Sequence, residues 1–306
     1  MTPLSRMAAL PPRLRQGGND ERLTENVKME ENDPPRLSAM PLYTNLDRIA
    51  RGLAAQGIGP GDPIRPEQLF ALDQWHYHGT EAIAAAARVL HLGPDSRVLD
   101  IGAGVGGPAR YLAHTTGCHV TALELQPELH AIGIDLTRRS GLADRVTHLC
   151  GDALAEPLPT AGFDAAVSFL AIVHIPDRPR LFGRLARALR SGGGCYIEDL
   201  CSRAPFAPHD WEDARRIVYA NSLTSQAEYA EDLRTAGFPD VAVTDLTPDW
   251  APFAAERLAA WHQNHAAYVA VHGEGAYQAQ DLFYTVIARL YDSGSLGGIR
   301  LVARMP

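Results

Sequence analysis

Short apolar runs alternate with amphipathic stretches between residues 97 and 200, and this alternation constrains the fold more than any other feature. The apolar runs lie at 98–101, 120–123, 146–149, 163–170 and 195–197. Short, mostly apolar runs of this length are typical of strands that helices cover on both faces. The alternation therefore predicts an α/β fold with a doubly wound, mostly parallel sheet. Two later runs, 241–246 and 299–303, complete the sheet to seven strands.

Composition divides the chain into four predicted segments. Residues 1–40 mix Pro, Gly, Asn and charged residues without apolar periodicity, which predicts a flexible tail. Residues 41–95 show helical periodicity and predict an N-terminal helical lid, which precedes the alternating core at 96–202. Residues 203–306 hold the last two strands of the sheet and a helical cap inserted between them. Helices are expected in this last segment at 211–236, 251–271 and 276–291.

Charge and composition exclude several classes of partner. The 306 residues include 28 Lys and Arg against 36 Asp and Glu, which gives a net charge of −8. This acidic balance argues against the basic surface that a nucleic-acid-binding protein needs. No run approaches the roughly 18 apolar residues of a membrane span, and no secretory signal is recognisable. The four cysteines lack CxxC spacing, which argues against disulfides and structural zinc. We therefore expect a cytoplasmic protein without nucleic-acid or membrane partners.

The sharpest local signal is a glycine-rich turn between the first strand and the following helix. Gly102, Gly104 and Gly107 satisfy the GxGxxG pattern of dinucleotide sites, and Gly106 lies between them. A ligand can approach the bare backbone of such a turn at the positive end of the helix. The pattern alone does not identify the ligand.

Three acidic residues lie at or near the ends of three successive strands, along the same edge of the predicted sheet. Asp100 lies inside the first strand, where a carboxylate can order the turn or meet a cationic ligand. Glu124 closes the second strand and suits bidentate hydrogen bonding to ribose hydroxyls. Asp152 follows the third strand, where a carboxylate and a backbone amide can bind the edge of an adenine. The joint spacing is more informative than any one acid.

With these motifs the chain resembles the class I S-adenosylmethionine-dependent methyltransferases over residues 68–200. The resemblance implies a Rossmann-like methyltransferase fold with S-adenosyl-L-methionine as cofactor. The glycine loop would hold its methionyl part, Glu124 the ribose and Asp152 the adenine. Segments 73–82, 174–177 and 297–300 further resemble a small-molecule subgroup that contains sarcosine/dimethylglycine and phosphoethanolamine N-methyltransferases. The candidate cofactor-binding residues are Gln74, Tyr77, His78, Asp100, Gly102, Gly104, Gly106, Glu124, Leu125, Asp152, Ala153 and Phe169.

The candidate catalytic residues are His174, Glu198 and Asp199. His174 follows the fourth strand, in the loop that faces the expected methyl group, and either contacts substrate or is a structural residue. Glu198 and Asp199 end the fifth strand, where successive side chains point to opposite faces, so that one is expected to face the pocket.

The resemblance predicts methylation of a small metabolite at nitrogen by in-line transfer. O-, C- or S-methylation in natural-product biosynthesis is the alternative. A NAD-dependent dehydrogenase is a further alternative, which only the glycine pattern supports. Asp100 and Asp152 argue against the dehydrogenase. No metal is expected, although His262, His265 and His272 share a helical stretch, because no acid stands at ligand spacing. The only partner predicted is a small methyl acceptor, and a homodimer is left open.

Overall fold

The computed structural model describes residues 46–306, so the predicted tail at 1–40 lies outside the described residues. The helices are α1 (Arg48–Ala55), α2 (Thr80–Val89), α3 (Gly107–Thr116), α4 (Pro127–Arg139), α5 (Arg178–Ala188), α6 (Pro208–Arg216), α7 (Gln226–Thr235), α8 (Thr247–Gln263), α9 (His265–His272) and α10 (Glu274–Asp292). The strands are β1 (Arg97–Ile101), β2 (His119–Glu124), β3 (Val146–Cys150), β4 (Phe163–Phe169), β5 (Leu189–Ser202), β6 (Asp240–Asp245) and β7 (Leu296–Arg304).

These strands form one seven-stranded sheet in the order β3-β2-β1-β4-β5-β7-β6. Strands β1 to β5 pair in parallel, whereas β7 runs antiparallel to both of its neighbours. The predicted doubly wound sheet, with helices α8 to α10 inserted between its last two strands, is confirmed. The order reverses between β1 and β4, and ligands bind such sheets at the carboxyl ends of the strands beside this switch point.

Helices pack on both faces of the sheet because successive strand residues point to opposite sides. Leu99 and Ile101 of β1 belong to the apolar cluster that includes Phe182 of α5. Val98 belongs to the cluster on the other face, with Ile83 of α2. A separate cluster joins the helices of the cap to Tyr77, so that the cap has an apolar core of its own.

Two helix predictions in the cap are wrong. The expected helix at 211–236 is two helices, because Ser225 starts α7 with a capping box in which Ser225 and Glu228 satisfy each other's backbone N–H groups. The expected helix at 251–271 is divided at Asn264, whose side-chain amide donates to the Ala260 carbonyl and ends α8. Among residues 46–306, no helix is long and apolar enough to cross a bilayer.

Candidate functional site

The glycine loop between β1 and α3 is held in a conformation that favours glycine. Gly102, Gly104 and Gly106 have φ angles of +70°, +56° and +79°, in the left-handed region. The Gly104 N–H donates to Glu124 Oε2 over 2.8 Å, and the Gln126 N–H donates to Glu124 Oε1 over 2.9 Å. Glu124 therefore ties the loop to the end of β2, the neighbouring strand.

The two sides of this loop differ in the space that they leave. A Cβ atom on Gly102 would lie 2.3 Å from the Cβ of Ala171, so this glycine packs closely against the turn after β4 and leaves no space for a side chain. A Cβ atom on Gly104 would meet no heavy atom within 4 Å. The backbone at Gly104 is therefore open to an approaching ligand, and a helix begins three residues later at Gly107.

Asp100 is a buried carboxyl directly behind the loop. Its Oδ2 atom has no hydrogen-bond partner among the described residues. Burial, reinforced by the charge of Glu124, raises the pKa of Asp100 to about 7. Burial also raises the pKa of Glu124, against the backbone N–H groups that bind its carboxylate. A cationic or hydrogen-bond-donating ligand at this loop would relieve the cost of burying Asp100.

Asp152 lies at the same sheet edge, one strand further out, and is exposed. Its Oδ1 accepts the Leu154 N–H over 2.8 Å, while the Gly151 N–H donates to the Glu124 carbonyl over 2.9 Å. Leu125, beside Glu124, is 52% exposed. The ends of β2 and β3 thus offer an exposed acid and an exposed apolar side chain next to the glycine loop.

A cavity of about 660 Å³ adjoins the open side of the loop. Its walls come mainly from the segment 70–79, the glycine loop, the end of β4 and the cap helices, and they also include Arg48 of α1, Leu200 of β5 and Val218. The predicted site residues that line it are Gln74, Tyr77, His78, Gly102, Gly104, Phe169 and His174. Those that do not line it are Asp100, Gly106, Glu124, Leu125, Asp152, Ala153, Glu198 and Asp199.

The wall segment between Asp73 and Gly79 is fixed by aromatic stacking. The ring of His76 stacks on Phe169 at 4.8 Å, and Tyr77 stacks on Trp250 of α8 at 4.3 Å between centroids. Burial lowers the pKa of His76 to about 4, so this imidazole is neutral at pH 7. Gln74, in the same segment, keeps a buried Oε1 without a hydrogen-bond partner among the described residues.

A buried ion pair anchors the same segment to α3, and the sequence pattern did not indicate it. Arg110 Nη2 donates to Asp73 Oδ2 over 2.8 Å, and both side chains are 1% exposed. Arg110 Nη1 also donates to Thr137 Oγ1 over 3.1 Å. Burial raises the pKa of Asp73, with Arg110 acting against the rise. The wall is therefore positioned by a pair that is 37 residues apart in sequence.

His174 reaches the cavity from the single turn after β4, Ile172–His174. Its Nδ1 donates to the Tyr219 carbonyl over 2.9 Å, which leaves Nε2 as the unprotonated acceptor. Burial lowers the pKa of His174, although the Tyr219 hydrogen bond opposes the shift. The structure thus holds a neutral imidazole at the wall of the cavity.

Glu198 and Asp199 are both committed to structural partners, contrary to the expectation that one faces the pocket. Glu198 Oε1 accepts the Tyr196 hydroxyl over 2.6 Å and pairs with Arg300 Nη2 over 2.7 Å. Asp199 Oδ2 accepts the Tyr229 hydroxyl over 2.8 Å. Burial raises the pKa of Asp199 to about 7.

The three cap histidines each have a separate partner. His262 Nε2 lies 2.9 Å from Asp281 Oδ1, and His265 Nε2 lies 3.3 Å from Glu274 Oε2. His272 Nδ1 lies 2.7 Å from Arg51 Nη1. Within the described part of the chain, no group of three His, Cys, Asp or Glu residues is arranged to hold a metal ion.

Comparison with known proteins identifies the family. A methyltransferase-domain family matches residues 99–197. The methyltransferase GfsG of Streptomyces halstedii is 30% identical over 213 residues, which are 69% of this chain and 76% of that protein. The chain belongs to the S-adenosylmethionine-dependent methyltransferases. Membership of this family confirms the resemblance stated from the glycine loop and the acids that follow it.

Other members of the family share the fold but differ in length. A phosphoethanolamine N-methyltransferase of Triticum aestivum is 29% identical over 199 residues, 65% of this chain and 39% of that enzyme. A solved structure of Haemonchus contortus phosphoethanolamine N-methyltransferase 2 with S-adenosyl-L-methionine has a TM-score of 0.72 at 21% identity, covering 89% of this chain and 58% of that one. The chain thus spans less than two thirds of the length of each of these two relatives.

Proposed function

We propose that the chain transfers the methyl group of S-adenosyl-L-methionine to a nitrogen of a small metabolite. The observation that carries the proposal is the left-handed Gly104, open to the cavity and tied to Glu124, with the unpartnered Asp100 oxygen directly behind. An open glycine backbone beside buried acids suits a ligand that carries both hydrogen-bond donors and a positive charge.

The residues present fit the cofactor. The glycine loop would hold its methionyl part, and Gln74 has a free oxygen for the amino-acid end. Both oxygens of Glu124 accept one backbone N–H each, so lone pairs remain for the ribose hydroxyls. Asp152 and the N–H of Ala153 would bind the adenine edge, against the exposed Leu125. When bound, the sulfonium supplies an electrophilic methyl carbon.

The chain's own contribution is alignment, exclusion of water and removal of a proton. Apolar walls from Phe169, Leu170 and Val173 keep water from the reacting atoms. Fixing the acceptor in line with the methyl carbon is the main source of rate in such a displacement. His174 Nε2 accepts the proton that the amine must lose, because Nδ1 is committed to Tyr219.

Substitution His174→Asn is expected to slow methyl transfer by about 10²–10⁴-fold at pH 7. The asparagine amide can still donate to the Tyr219 carbonyl but cannot accept the proton. Single-turnover rates and S-adenosylhomocysteine affinity, measured on the same samples, separate loss of the base from loss of cofactor binding. An unchanged rate would show that His174 is structural, whereas a slow variant with normal cofactor affinity supports the base.

Affinity for S-adenosyl-L-methionine is expected to fall about tenfold per pH unit below pH 7. The raised pKa of Asp100, about 7, means that this carboxyl is protonated at lower pH, and a cationic ligand prefers its ionised form. Titration calorimetry at pH 5.5 to 8 with Asp100→Asn should give a much shallower profile, to which Glu124 still contributes because burial also raises its pKa. Asp199→Asn is the matched control, because Asp199 has a similarly raised pKa away from the cavity, and it should retain the wild-type slope. A slope in Asp100→Asn equal to that of the wild type contradicts the assignment.

The reaction is tested by incubation with methyl-labelled S-adenosyl-L-methionine and a panel of amines, alcohols and carbon nucleophiles. Label in an N-methyl product supports the proposal. O-methylation is the second candidate, favoured by the neutral Nε2 of His174, since a hydroxyl needs a base even more than an amine does. Label found only in ethers would replace the first candidate by the second.

The proposal also includes a cytoplasmic location and a small-molecule partner. All four cysteines, Cys118, Cys150, Cys195 and Cys201, are free thiols, which fits a reducing compartment. The net charge of −8 fits a metabolite acceptor better than a nucleic acid. The homodimer stays a prediction, and light scattering decides between one and two chains of 33.2 kDa.

A further inference from the structure

The cap forms one side of the cavity, an apolar wall that contains one arginine from α8. Phe253 and Arg257 stand four residues apart on the face of α8 that lines the cavity. Helix α10 adds Phe283, Tyr284 and Ile287 to the same wall. Arg257 is thus a cation set among aromatic and aliphatic side chains.

The guanidinium of Arg257 is surrounded by rings rather than by a counter-ion. Its central carbon lies 4.9 Å from the ring centre of Tyr77, 4.7 Å from that of Tyr284 and 5.6 Å from that of Phe253. Its Nε is buried and has no hydrogen-bond partner among the described residues. Burial raises the pKa of Tyr77, and the charge and hydrogen bond of Arg257 act against this rise. The Tyr77 hydroxyl therefore stays neutral and does not neutralise the positive charge of Arg257.

No acid that lines the cavity is available to Arg257 in the described part of the chain. Asp73 is the one acidic residue among the lining residues there, and it is paired with Arg110. Within residues 46–306, no carboxylate oxygen lies within 4.0 Å of an Arg257 nitrogen, so Arg257 forms no ion pair there. Stacked rings offset part of the cost of burying a cation, but an oxyanion on the planar fork of an arginine offsets more.

We propose that the methyl acceptor is an amphipathic acid, with a carboxylate or phosphate held by Arg257 and an apolar body along Phe283, Ile287 and Leu200. This inference rests on the proposed function and narrows its substrate class. An acceptor as small as phosphoethanolamine would leave the apolar wall uncovered. A hydrocarbon without an acid group would leave Arg257 buried against it, which is costly.

Binding of simple amphiphiles tests the proposal without knowledge of the natural acceptor. The probes are n-octanoate, n-octyl phosphate, n-octanol and acetate, measured by calorimetry on the full chain. We expect at least one of the two octyl acids to bind tenfold or more tightly than octanol and than acetate. The stronger of the two acids identifies the oxyanion as carboxylate or phosphate. Equal binding of octanol and both octyl acids would overturn the inference.

Variants at Arg257 locate the anion site. In Arg257→Gln the preference for the octyl acid over octanol should shrink to within twofold, and in Arg257→Lys an intermediate preference should remain, because the charge is kept and the fork is lost. Arg216→Gln is the matched control, since Arg216 is an exposed cap arginine with a 68% exposed side chain, and its preference should equal that of the wild type. A preference that survives Arg257→Gln with normal thermal unfolding contradicts the assignment.

S-adenosylhomocysteine binding on the same samples separates the two proposals. If the cofactor product binds and the octyl acids show no preference, the substrate class is wrong and the proposed function stands. If the octyl acids bind selectively and S-adenosylhomocysteine does not bind, the proposed function is contradicted, and the anion is not a methyl acceptor.

Discussion

Substitution Arg110→Met should lower the free energy of unfolding by about 3–5 kcal/mol, because it leaves the Asp73 carboxylate buried without its partner. Both side chains of this pair are 1% exposed, so water cannot replace the guanidinium. Burial already raises the pKa of Asp73, and loss of Arg110 raises it further. The loss of unfolding free energy should therefore become smaller as the pH falls from 8 to 5, because Asp73 takes up a proton. Urea unfolding at several pH values measures this loss and its dependence on pH.

An exposed ion pair provides the control for this variant. Arg138 lies 2.8 Å from Asp135 on α4, with side chains 62% and 49% exposed. Substitution Arg138→Met should cost about 0–1 kcal/mol, since exposed pairs contribute little. Equal losses in the two variants would mean that burial of the Asp73–Arg110 pair does not determine its importance.

Substitution Gly104→Ala should weaken S-adenosylhomocysteine binding by at least 100-fold while the chain remains folded. Gly104 has a φ of +56° and no heavy atom within 4 Å of a Cβ built on it, so the folding cost is limited to backbone strain of about 1–2 kcal/mol. The added methyl group, however, would stand in the space through which a ligand meets the loop. Calorimetric binding and thermal unfolding are measured together.

Gly141→Ala is the matched control for the glycine loop. Gly141 has a φ of +69° and equally open space around a built Cβ, but it follows α4 at the opposite edge of the sheet. Both variants should lose similar stability, and only Gly104→Ala should lose binding. If both variants bind S-adenosylhomocysteine normally, the glycine loop is not the cofactor site.

The sheet and the glycine loop were predictable because their signals are local. An apolar run followed within a few residues by three glycines and a helix indicates a turn whatever the rest of the chain does. Ser225 and Glu228 carry an equally local signal, a capping box, which marks the start of α7 inside the stretch 211–236 where one helix is expected.

The wall of the cavity was not predictable because its contacts join distant parts of the chain. Tyr77 meets Trp250 and Arg257 only once the cap packs against the segment 70–79. Asp73 meets Arg110 only once that segment packs against α3. The same limit applies to Glu198, whose partner Arg300 lies 102 residues further along the chain. Period-two alternation indicates which face of a strand a side chain occupies, but not what covers that face.

Titration calorimetry of the full chain with S-adenosylhomocysteine, with NADH as the competing ligand, is the most direct test of the account. We predict that one S-adenosylhomocysteine binds per chain and that NADH does not bind. Binding of NADH in its place, or no binding of S-adenosylhomocysteine, would contradict the assignment of the glycine loop and its acids to an adenosyl cofactor.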